Sequence, residues 1–426
     1  MTSSSWLGTA AMLGLVFVLC TFIGASGMRA PLKRMLVAGL VMRVVGALLM
    51  LAIIYSVYGG IADAMRYFRE GLALTERMFA GDFASFTDER HWLGGRWWGT
   101  QFVVFTSSFV TAVLGPSRPG AFIFYALLAF VGLCLFTVAF VRAHPHARPE
   151  RYLAWLAFFP SLWLWPSVIG KEALILLGLG LVVFGYVRVG RIAWIPLGLG
   201  LVLIGAIRPQ VAAVVAFTVF LAQWLGRDQR WTPVRVVQTL AILAVGLGTL
   251  SYGLGMLGVS ETGVAGVSEY LADEAGGMDV GNTSVEATGV GLAGVPLALV
   301  NVLFRPFPWE ADSLMTFASG VELWGMWALF LVRRRDVVRA LRQWRSSRLL
   351  AMGIPFALVY AAIFGMLVVN LGIIARQRIF IFPFLLALLE AAPAPAGTGA
   401  RRPARGAVRR VPAPRVPALR QEGTAG

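Results

Sequence analysis

The sequence is poor in most of the residues that carry soluble chemistry. It has 2 cysteines and 3 histidines in 426 residues. Cys20 and Cys134 both sit inside apolar runs, so neither a disulfide nor a zinc site is expected. His91, His144 and His146 are too few and too scattered for a metal cluster. Charged residues make up only 14% of the chain, far below the share in a soluble domain. Lysine is nearly absent: among 37 basic residues, only Lys33 and Lys171 are lysines. No nucleic-acid-binding motif is present, so the net charge of +16 needs another explanation.

What remains is apolar. Hydrophobic residues make up 58% and the mean hydropathy is +0.75, which points to an all-α polytopic membrane protein. Eleven apolar runs are read as spans: 6–26, 35–58, 121–141, 152–168, 173–187, 193–206, 211–225, 236–257, 319–332, 349–369 and 371–389. Two long polar loops interrupt them, 59–120 and 258–317. Each holds a short apolar stretch, 102–114 and 295–304, expected to be re-entrant or interfacial rather than spanning. Residues 1–390 then form the membrane domain. Residues 391–426, rich in Ala, Pro and Arg, are expected to be a disordered basic cytoplasmic tail.

Charge orients the bundle. Nothing basic precedes the first run, and Arg29, Lys33 and Arg34 follow it, the reverse of a signal peptide. This places the N-terminus outside. The alternate loops read as inner then hold 25 of the 37 basic residues, and the outer loops hold 16 of the 21 acids. The C-terminus falls inside. The basicity therefore reflects topology and an anionic inner-leaflet lipid partner, not nucleic acid.

Candidate chemistry gathers on the outer side. Lys171 and Glu172 open an apolar run directly after FFPSLWLWPSVIG, and a charged pair between two apolar helices is expensive near lipid. Asp63 and Tyr67 lie one helical turn apart at the start of the first long loop, and Glu70 shares their face. Arg208 sits in an outward turn, AIRPQ, and Arg305 opens RPFPWE, which its prolines hold extended. Arg376 and Arg378 lie within the last run; two residues apart on a helix, they diverge by about 200° and at most one faces a shared cavity. Arg43, within the second run, is expected to meet an acid inside the bundle. Several arginines at one level suggest a polyanion, since guanidinium groups bind phosphate oxygens in bidentate fashion. The phosphate-binding set is thus Lys171, Arg208, Arg305, Arg376 and Arg378. Asp63 and Glu172 are the candidate catalytic bases, and Tyr67, Trp165, Trp309 and Glu310 the candidate substrate contacts. Trp163, Trp165 and Trp309 fit an interfacial aromatic belt as well as a sugar-stacking platform.

These features resemble bacterial exopolysaccharide and O-antigen-type polymerases and, more distantly, GT-C glycosyltransferases. The resemblance rests on Asp63 and Tyr67 in the first outer loop, P-S-x-W-x-W-P-S-x-x-G-K-E at 160–172, Arg208-Pro209, RPFPWE at 305–310, and the Arg-x-Arg of Arg376 and Arg378. It implies a bacterial inner-membrane enzyme that uses a polyprenyl phosphate- or diphosphate-linked sugar at the outer face, with possible envelope-biosynthesis partners. The resemblance also implies that Asp63 contacts acceptor or metal, although the paired acids of that loop are absent and the E-x-D spacing appears only at Glu310 and Asp312. No cofactor is expected, a divalent metal aside. Two rival readings remain: a transporter or flippase of lipid-linked saccharides, which needs polar residues through the bilayer depth, and a non-catalytic scaffold for envelope assembly.

Overall fold

The computed structural model describes residues 3–92, 95–188, 193–226, 292–311, 313–368 and 370–391, with three isolated positions at 240, 244 and 248. The span expected at 236–257, the first part of the second long loop, Asp312 and the tail from 392 lie outside the described residues. Among the described residues every regular element is helical, with no strand. In lipid this is the expected solution, because a helix satisfies its backbone polar groups within one segment.

Five helices are long and apolar enough to cross a membrane: Trp6–Ala25 within α1 (Ser3–Ala25), α2 (Ala30–Ser56), α6 (Arg118–Ala143), α13 (Leu314–Val332) and Arg348–Met366 within α15 (Arg348–Leu367). Leu371–Phe380 and Phe382–Glu390, bent by 53° where the chain passes Ile381, are together apolar enough to make a sixth if the pair is one span. The first of these segments contains α16 (Leu371–Gln377), and the second is α17 (Phe382–Glu390). Three expected spans are shorter than the roughly 20 residues typical of a crossing: α10 (Trp194–Ile207) has 14 residues, and α9 (Lys171–Val187) and α11 (Pro209–Leu225) have 17 each. The protein is thus a multi-pass, all-helical membrane protein with five or six full-length crossings among the described residues.

Close packing of α6, α9 and α10 makes the centre. Gly132 on α6 and Gly180 on α9 bring the two backbones together, and a Cβ added to either would collide with backbone atoms of the other helix. Gly180→Leu should therefore force the pair apart and cost at least about 1–3 kcal/mol; unfolding in detergent measures it. In the first long loop α3 (Asp63–Phe79) packs on α5 (Thr100–Leu114), which in turn meets α1, α6 and α10. The seam between α3 and α5 is polar: the Thr75 hydroxyl donates to the Ser108 carbonyl at 2.7 Å and lies 2.7 Å from Thr111 Oγ1.

The run 152–168 corrects the expectation of one continuous span. It breaks at Phe159, whose backbone is extended (φ −65, ψ 119), into α7 (Pro149–Phe158) and α8 (Pro160–Leu164). The cause is Pro160, which lacks the N–H that would meet the Leu156 carbonyl four residues earlier. Pro166 deprives the Leu162 carbonyl in the same way. Arg43 fills both gaps: its Nη1 donates to Leu162 O at 2.6 Å and its Nη2 to Leu156 O at 3.4 Å. Arg43 is fully buried, and Phe130 lies 5.4 Å from its guanidinium. The expected acid partner is thus replaced by two carbonyls that proline had orphaned. On the far side of the break, Glu322 accepts from the Ser161 N–H at 2.7 Å and from the Ser161 hydroxyl. A buried arginine and a half-buried glutamate thereby serve the backbone on either side of the break.

Candidate functional site

The candidates assemble from helix ends. Gly59 and Gly60, both at positive φ, turn the chain out of α2 and into α3, which starts at Asp63. Gly170 precedes α9 in extended conformation, so Lys171 and Glu172 occupy its first turn, where an acid meets the helix dipole favourably. Arg208 is the pre-proline residue between α10 and α11, held extended by Pro209. Arg376 stands in the last turn of α16.

Glu172 is the hub, and it has no solvent exposure. Its Oε2 accepts from Arg376 Nη2 at 2.8 Å, and Arg208 Nη2 lies 3.8 Å from its Oε1. Arg376 Nη1 is also 3.9 Å from Asp63 Oδ2, and the Asp63 side chain is 65% exposed. Lys171 Nζ donates to Thr100 Oγ1 at 3.1 Å, tying the first turn of α5 to the first turn of α9. The loop is clasped a second time where the Gly99 N–H donates to the Ala206 carbonyl at 2.8 Å. Tyr67 is buried one turn after Asp63. Burial, with the Asp63 and Glu172 charges, pushes its phenol up to about 12, so it remains a hydrogen-bond donor. Three cations, Lys171, Arg208 and Arg376, face two carboxylates, which leaves an excess of one positive charge beside an exposed acid.

A second group forms around RPFPWE. Arg305 is held by Glu310 through Nε at 3.0 Å and Nη2 at 2.6 Å, and its Nη1 reaches Asn301 Oδ1 at 3.3 Å. The Phe307 N–H also donates to Glu310, at 2.9 Å. Burial alone would raise the Glu310 carboxyl, but the hydrogen bonds from Arg305 and Phe307 outweigh it and the net direction is down. Arg378 is fully buried and donates from Nη1 to the Arg305 carbonyl at 2.9 Å. Arg376 and Arg378 thus diverge, as their two-residue spacing predicts, and serve different groups. Trp309 is exposed and stacks on Phe307 with centroids 5.0 Å apart. Trp165 is half-buried against the hydrophobic core.

The structure therefore brings together Asp63, Tyr67, Lys171, Glu172, Arg208 and Arg376, and separately joins Arg305, Glu310 and Arg378. Glu70 lies elsewhere, lining a small hollow within the first loop with Arg77, Ser85, His91 and Gln101. Among the described residues no three His, Cys, Asp or Glu side chains group to hold a metal ion. Nothing in the sequence marks Thr100; Glu322 stands out as an acid one turn into an apolar run, and the paired prolines around Ser161 hint that its backbone would need partners. No family model, curated protein or solved structure matches this chain.

Proposed function

We propose that this chain is a membrane glycosyltransferase or polysaccharide polymerase of the bacterial inner membrane. It takes a saccharide from a polyprenyl phosphate or diphosphate carrier at the outer face, with the N-terminus outside, eleven crossings and the C-terminus inside. The observation that carries this reading is the convergence of Asp63, Lys171, Arg208 and Arg376 around one buried carboxylate. Four distant stretches of chain supply a cationic excess and, beside it, an acid open to solvent.

In this reading Arg376, Arg208 and Lys171 receive the carrier's phosphate oxygens. Glu172, inaccessible and engaged by two guanidinium groups, acts as a positioning residue that aims them. Asp63 takes the proton of the acceptor hydroxyl as its oxygen attacks the anomeric carbon. The bond from that carbon to the carrier phosphate breaks, and the electron pair leaves with the phosphate, whose charge the cations stabilise. Asp63 then releases its proton to solvent. In the same reading the exposed Trp309 and the Arg305–Glu310 group offer the growing chain aromatic and polar surface.

Asp63→Asn should lower transfer by about 10²–10⁴-fold, the usual worth of a general base, with unfolding unchanged. Lys171→Ala should weaken use of the carrier. The assay is polymer formed in cells at matched expression, paired with release of carrier phosphate in sealed vesicles. Wild-type polymer in both variants would remove the reading. Movement of intact lipid-linked saccharide without release of carrier phosphate would mark a flippase instead. Deleting 392–426 should leave transfer largely intact; a scaffold that docks through that tail would fail.

A further inference from the structure

Between the two crossings α13 and α15 lies a short helix, α14 (Arg334–Arg342), followed by a single turn at Trp344–Ser346. Both neighbours are long and apolar enough to span, so α14 must lie at a membrane face whichever way the bundle is oriented. Its inward side is settled by packing: Val337 and Ala340 are buried, and α14 contacts α17. Two arginines belong to this packing. Arg333 donates to the Leu389 carbonyl at 3.1 Å and to Asp336 at 2.9 Å, and Arg339 donates to Asp336 at 3.3 Å.

The remaining arginines have a different setting. Arg334, Arg335, Arg342 and Arg345 are exposed, with no carboxylate partner among the described residues. Val338 and Leu341 are exposed on the same side, at 44% and 40%. In water such a face would combine uncompensated charge with unburied apolar surface. At a bilayer the two needs are met together: the aliphatic side chains enter the acyl boundary, and the guanidinium groups reach up to phosphates. We propose that α14 and the turn after it form a docking strip for the headgroup phosphates of anionic phospholipid, with Arg334, Arg335, Arg342 and Arg345 as the phosphate contacts. Phospholipid is the occupant because the strip is bounded on both sides by membrane crossings and mixes cationic with apolar surface. The inference does not depend on the enzymatic reading.

The test uses the full chain, purified and reconstituted in nanodiscs of phosphatidylcholine alone or with added phosphatidylglycerol. Native mass spectrometry after partial delipidation should show phosphatidylglycerol retained preferentially by the wild type. Replacing the four arginines together by glutamine should reduce that preference by about tenfold or more. Unfolding in pure phosphatidylcholine nanodiscs should be the same for both proteins, which shows that the variant folds. A second variant, Arg333→Gln with Arg339→Gln, should lower stability while keeping the lipid preference. Equal retention by the wild type and the fourfold variant would overturn the proposal, as would complete competition by inorganic phosphate at millimolar concentration.

Discussion

Replacing Arg43 by methionine should destabilise the assembled bundle by about 2–6 kcal/mol. The figure comes from two buried carbonyls, Leu156 and Leu162, each left unsatisfied at about 1–3 kcal/mol. No backbone donor can replace the guanidinium, because the residues four positions on are Pro160 and Pro166. Insertion of α2 works in the opposite direction: on insertion scales, losing the arginine helps by roughly 2.5–3.5 kcal/mol. Expression level therefore mixes two effects, and unfolding of the purified protein isolates the one of interest. Arg43→Lys should fall between, since a single ammonium on a shorter reach cannot span both carbonyls as the planar fork does. An unchanged unfolding midpoint for the methionine variant would mean that the carbonyls find other partners.

Removing the Glu172 carboxylate should be as damaging for the opposite reason, by stranding cations rather than acceptors. Glu172→Ala leaves Arg376 and Arg208 facing one another beside Lys171, with only the exposed Asp63 nearby. Breaking a buried ion pair from one side typically costs about 3–5 kcal/mol. Glu172→Gln keeps the shape and loses the charge, so it should recover packing and little else. Asp63→Asn provides the contrast: its side chain is 65% exposed and its ion pair to Arg376 spans 3.9 Å, so stability should change by less than about 0.5 kcal/mol. A pair of variants in which Glu172→Gln loses stability and Asp63→Asn loses only transfer would separate the positioning residue from the base. Equal loss of stability in both would show that Asp63 is structural.

The sequence made some of this legible and hid the rest for identifiable reasons. Membrane class follows from hydropathy, and the start of α9 at Lys171 follows from Gly170 and the charge pair. The divergence of Arg376 and Arg378 follows from helical geometry alone. Span number is harder to read, because an apolar run of 14–17 residues has the same composition whether it crosses, tilts or stops short. Tertiary partners are harder still. Nothing local to Arg43 names Leu156 and Leu162, more than a hundred residues away, and nothing local to Lys171 names Thr100. Even so, Pro160 and Pro166 mark which carbonyls will lack a donor, so half of the Arg43 arrangement was written in the proline spacing.

Arg376 and Arg378 have a mechanical consequence. They leave the same turn of backbone for different partners, one anchored on Glu172 and the other on the Arg305 carbonyl. The carboxylate hub and the RPFPWE loop are therefore both fastened to a single turn of backbone, through side chains two residues apart.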